Sequence, residues 1–274
     1  MIRIADIHEE HEYAAWLAEV DLPVAPTLCL AFRAAVRRSH AFWNDAPPLN
    51  MNNRYSPNGT VALRALLTCG IVSDVMSSGP PSRALRRAAA NARYGTGQRD
   101  VDCAVAIHVA HQACIASTSR SASKVAEAMR DVRADTAAIV ASDVMYSGCT
   151  WRVQHADCAL SLASQDLYRT ALYAGDDRSG GADARPTALD KVLTGWQEPW
   201  PGERFWHPGW QDAGPDWQFW HDWLRAVIDG TPMDPDLLMD IALIEDEIWR
   251  AGDAPVNQAI RTRYARDLSA NPVA

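Results

Sequence analysis

Apolar and polar positions recur at helical spacing along most of the chain, and little of it reads as strand. Tyr13, Trp16, Leu17 and Val20 follow an acidic first turn and predict a helix over roughly 6–21, which Pro23 stops. Pro26 opens a second helix at a first-turn position. Its inward stripe is Leu28, Ala31, Phe32, Ala35 and Val36, with Arg33, Arg37 and Arg38 opposite. The run from Asn44 to Gly59 holds three prolines and five asparagines and predicts a long irregular loop, a candidate surface. A third helix is predicted over 60–77. The SGPPS break from Ser78 to Ser82 ends it and supplies Ser82 as the cap of a fourth, over 83–94. Between Val101 and Ala116, twelve of sixteen positions are apolar, so this helix should be buried nearly all round, apart from a narrow stripe at His108, His111 and Gln112. It is the expected central helix. Val125, Ala128, Met129, Val132, Thr136 and Ile139 mark the inward face of the next helix, and a further one is expected from Trp151 to Tyr173.

The polar, glycine-rich stretch from Gly175 to Pro186 is the best boundary on the chain. It divides a predicted helical array, 1–175, from a linker, 176–187, and a C-terminal module, 188–274. In the module, residues 198–215 are too rich in proline and glycine to be regular. Helices follow over 216–229, from the Asp234–Pro235 start to Ile244, and from an Asp253 cap to about Arg266, with a turn at Ile248–Arg250 closed by Gly252. The expected fold class is therefore all-α: a multi-helix array carrying a C-terminal helical module packed on it.

Seven of the eleven tryptophans sit in that module between Trp196 and Trp223. Indole is the largest apolar side chain and carries one N–H that wants a partner, so such density must pack a core or line a site. Trp217, Trp220, His221 and Leu224 share one helix face, the arrangement of a core stripe. Trp200, Trp206 and Trp210 fall among breakers and are the candidates for an open platform that takes a ligand or a partner's side chains. Charge follows the same division. Residues 188–274 hold 15 acids against 7 bases, which accounts for the whole net charge of −8, whereas residues 30–100 hold ten arginines against three acids.

Acidic residues crowd the first 22 positions, which lack the basic start and apolar run of a signal peptide, and no uninterrupted apolar run of about 18 residues appears. A cytoplasmic address without membrane contact is the expectation. Six cysteines without a CxxC pair then read as reduced core thiols.

The stretch DWQFWHDWLRAVIDGTPMDPDLLMDIALIEDEIWRAGDAPVNQAI, Asp216 to Ile260, resembles the C-terminal region of a group of uncharacterised, alanine-rich helical bacterial proteins. The shared features are a W-x-x-W helix, a glycine stop, an IALI-type helix, a tryptophan after an acidic pair and a V-N stretch. The resemblance covers about a sixth of the chain. It implies a helical fold and transfers no catalytic residue.

Chemistry-bearing residues are sparse. GxSxG, GxGxxG and GxxxxGK[ST] patterns are missing. His108 and His111 are three apart on the central helix, and they are the place to look for a metal. Zinc needs three or four converging ligands, however, and the pairs His8/His11 and His155/Cys158 are not tied to them by sequence, so neither metal nor cofactor is expected. Asp234 and Asp236 suit a helix N-terminus; Asp240, Glu245, Asp246 and Glu247 read as a solvated face. Arg83, Arg86, Arg87, Arg93 and Arg99 can hold phosphates, form a solvated face, or serve as a landing site for the acidic C-terminal third. The expectation is a non-enzymatic interaction or regulatory protein with a protein partner or a second copy of itself, an accessory of a toxin, phage or defence system. One alternative is a helical enzyme or small-ligand receptor built on His108, His111 and the tryptophans. Another is a nucleic-acid binder using the arginine patch.

Overall fold

The computed structural model describes residues 15–16, 19, 22–45, 59–95, 101–150, 214–229, 231 and 233–270. Among them every regular element is helical. The array comprises α1 (Val24–Asp45), α2 (Gly59–Ser78), α3 (Arg83–Gly95), α4 (Val101–Thr118) and α5 (Ala122–Thr150). A 3-10 turn, Pro215–Trp217, leads into the C-terminal module: α6 (Gln218–Asp229), α7 (Pro235–Ala242), α8 (Asp246–Arg250) and α9 (Asp253–Ala270). The predicted loop 44–59, the helix 151–173, the linker 176–187, and Trp200, Trp206 and Trp210 lie outside the described residues in whole or in large part.

Local signals account for the element ends. Pro26 lies in the first turn of α1, where a missing N–H costs nothing. Ser82 Oγ accepts from Leu85 N at 3.1 Å and caps α3. Asp234 accepts from Asp236 N at 2.8 Å ahead of Pro235 and caps α7. Gly252, at φ 102°, makes the left-handed turn between α8 and α9.

As predicted, α4 is central to the array and packs on α1, α2, α3 and α5. Its face of Ala106, Ala110 and Ala113 is fully buried, and such small side chains let helix axes approach closely. Centrality is shared with α2, in which every residue from Ala62 to Ser73 is buried. This helix is long and apolar enough to cross a membrane by composition alone, and its position explains why. One side meets the array, and the other receives α7 and α9 of the module. Within the module, α9 touches the 3-10 turn, α6, α7 and α8, so the short helices are organised around it.

Two expectations need correction. Arg33 is buried with the apolar stripe of α1, because α1 packs on α2, α4 and α5 and has no open face there. Asp253 directs its carboxylate to the start of α2, accepting from Thr60 N at 3.1 Å and Thr60 Oγ1 at 2.5 Å. A residue expected to cap α9 thus satisfies the N-terminus of a helix far away in sequence, and in doing so ties the module to the array.

Candidate functional site: a cleft between the arginine helix and the acidic turn

Helix geometry divides the arginines of α3 into two sets. Arg83, Arg87 and Asn91 follow one another at four-residue intervals and form one stripe, facing the α7–α8 turn. Arg86 and Arg93 lie on the side turned toward α4: Arg86 acts electrostatically on the Cys114 thiol, and Arg93 reaches His111. The predicted basic patch is therefore not one surface.

The first stripe borders a cleft of about 600 Å³. Arg64, Arg83, Arg87 and Asn91 line one side, Glu245, Asp246 and Glu247 the other, and Ala84, Ala88 and Ala242 contribute small apolar side chains. At its base sits an ionic clasp. Asp246 accepts from Arg64 Nη2 at 2.6 Å through one oxygen and from Asn91 Nδ2 through the other. The Arg64 side chain is 6% exposed and that of Asp246 14%. Burial lowers the Arg64 pKa while Asp246 opposes the shift, so the carboxylate keeps the cation in place. The guanidinium also lies over the Trp249 ring, 4.7 Å from its centroid.

This corrects the solvated-face reading for Asp246. It is a structural anchor, and part of the acidic segment does land on the array, through Arg64 and Asn91. Arg83 and Arg87 are exposed and make no ion pair among the described residues. Arg64 and Asn91 escaped the sequence reading. A signal for Arg64 was present: it is the lone charged residue between Gly59 and Asp74, and a cation on so apolar a helix must meet an acid.

The indoles behind the clasp are core. Trp220 and Trp223 are fully buried, and Trp217 and Trp249 nearly so. Trp220 packs edge-on against Trp223 at 5.9 Å and donates from Nε1 to Asn257 Oδ1 at 3.0 Å. Trp223 and Trp249 bury an Nε1–H with no acceptor among the described residues. His221, expected on the same stripe, is only half-buried and contacts Asp222 at 3.1 Å.

His108 and His111 are engaged separately. His108 Nδ1 lies 2.9 Å from Asp135 Oδ2, a close contact out of line for a directed hydrogen bond. Gln112 Nε2 lies 2.9 Å from its Nε2. Arg93 donates to His111 Nδ1 at 3.3 Å, which makes that nitrogen an acceptor. Burial, then Arg93, then His108 lower the His111 pKa. A guanidinium on the ring nitrogen opposes a cation there, and no group of three or more metal ligands converges among the described residues. Cys29, Cys69, Cys103 and Cys114 are buried thiols outside any disulfide among the described residues, in line with the core-thiol reading. Burial pushes the Cys114 thiol up to about 12, which keeps it protonated and a poor nucleophile.

No protein-family model, curated protein or solved structure matches the chain.

Proposed function

We propose that the protein is a non-enzymatic interaction protein whose contact site is the cleft between α3 and the α7–α8 turn. One observation supports this above the others: Arg83 and Arg87 stand exposed, with no ion pair among the described residues, on a wall whose spacing is set by the buried Arg64–Asp246–Asn91 clasp. Charges of this kind contribute little to folding and are suited to choosing and steering a partner. A rigid base beneath exposed charges also limits the ordering cost of association.

The alternatives have weaker support. Nucleic acid would meet Glu245 and Glu247 across the same cleft, and carboxylates repel phosphates. A metal-based enzyme at His108 and His111 would have to displace the Arg93 guanidinium.

The test is recovery of the tagged chain from its own cells, followed by size-exclusion chromatography with light scattering. A stoichiometric partner is expected with the parent chain and should be lost with Arg83→Glu plus Arg87→Glu. Recovery as a lone monomer, or a partner indifferent to the charge reversal, would overturn the reading.

A further inference from the structure

We infer that the occupant of this cleft is a short peptide segment of mixed charge, its carboxylates set against Arg83 and Arg87 and its ammonium or guanidinium groups against Glu245 and Glu247. The inference rests on the interaction reading above and names the chemistry of the partner.

Besides the joined Arg64–Asp246 pair, four charges line the cleft, two of each sign, and these four do not pair with one another among the described residues. Arg83 and Arg87 have no ionic partner among the described residues, nor does Glu247. Glu245 has only a 4.0 Å contact with Arg263, and its side chain is 65% exposed. Opposite charges on flexible side chains would close on one another across a narrow gap. Here the spacing of the backbones carrying them is fixed, because Asp246, between the two glutamates, is bonded to Arg64 and Asn91. The cleft is thus a preset dipole: cationic along α3, anionic along the start of α8.

A ligand complementary to it must be dipolar. A purely anionic ligand gains at Arg83 and Arg87 what it loses at Glu245 and Glu247, and a purely cationic one meets the reverse. A free amino acid has one charge of each sign and would leave half of the four groups unmatched, whereas a peptide with two acids and two bases matches all of them. The volume of about 600 Å³ lies within the range of sites that take a drug-sized ligand, which is room for part of a short peptide. Ala84, Ala88 and Ala242 leave room for a main chain between the walls, and Leu243, 39% exposed, gives the rim an apolar contact.

The test is calorimetric titration of the whole chain, at low salt, with four probes. These are acetyl-Glu-Glu-Ala-Lys-Arg-amide, an all-acidic and an all-basic pentapeptide, and a short DNA duplex. Saturable binding of the mixed peptide is expected, about tenfold tighter than that of any other probe and lost at 0.5 M salt. Arg83→Ala with Arg87→Ala, and separately Glu245→Gln with Glu247→Gln, should each weaken it about three- to tenfold. Arg130→Ala, on the exposed face of α5, should leave it unchanged. An unchanged thermal midpoint in both double variants confirms that the fold is retained. Tighter binding of the duplex or the all-acidic peptide would make the cleft an anion site and overturn the inference. Absence of mixed-peptide binding would overturn it too. In that event a cellular partner that still depends on Arg83 and Arg87 would keep the interaction reading alone.

Discussion

In the array, helices meet through small side chains: Ala106, Ala110 and Ala113 of α4 are fully buried against neighbours on several sides. In the C-terminal module they meet through Trp220, Trp223 and Trp249, of which Trp220 lies 5.9 Å from one and 6.5 Å from the other. Close-packed long helices spread their stabilisation over many contacts, each small. The helices α7 and α8, of eight and five residues, are too short to persist without tertiary support and take it from a few large side chains. Sensitivity to change should differ accordingly. It should be diffuse in the array and concentrated in the module.

The largest effect expected is that of Trp220→Ala. It removes a fully buried indole and leaves the Asn257 amide oxygen, itself in a buried residue, without its donor. Truncating a buried tryptophan costs about 3–5 kcal/mol, and an orphaned buried acceptor adds about 1–3 kcal/mol. The matching change in the array, Ala110→Gly, should cost about 1 kcal/mol, chiefly through helix propensity. Urea unfolding of the two variants checks this, and equal losses would erase the contrast between the regions.

A somewhat smaller loss is expected where the regions join. Asp246→Ala leaves the Arg64 guanidinium buried without its acid and should cost about 3–5 kcal/mol. Adding Arg64→Met should restore much of that loss, since replacing both members of a buried pair with apolar groups is often neutral. The measurement is a double-mutant cycle read by denaturant midpoint. If the double variant is no more stable than Asp246→Ala alone, the clasp contributes by packing, and charge is not what joins module to array.

The same division marks what the sequence could convey. Elements whose causes are local were legible: α2, predicted over 60–77, spans Gly59–Ser78, and the Ser82 cap and the Asp234–Pro235 start are where the spacing placed them. So was the core role of Trp217, Trp220 and Leu224, since three- and four-residue spacing fixes a face. The joints were not. Asp246 looked solvated because its partner Arg64 lies 182 positions away, and Asp253 looked like a local cap because Thr60 lies 193 positions away. The candidate cleft depends on such a pairing. Composition gave Arg83 and Arg87 as basic residues, but only the fold opposes them to Glu245 and Glu247.

The smallest effect expected lies on the polar stripe of α4 and is read by pH. His111 accepts from Arg93 through Nδ1, and burial with the nearby Arg93 and His108 lowers its pKa, so the folded chain holds the ring neutral. As pH falls through the ordinary histidine range, near 6.5, the unfolded chain takes up that proton first. Unfolding then binds more protons than folding, and stability declines with acidification; above this range the contribution is fully present. His111→Gln removes the titration and should flatten the decline in thermal midpoint between pH 7.5 and 5.5, without the large losses expected at Trp220 or Asp246. An identical acid slope in the variant and the parent would mean that the ring's engagement with Arg93 contributes nothing to the array's stability. The stripe would then be tolerated polarity on a helix held by its alanines.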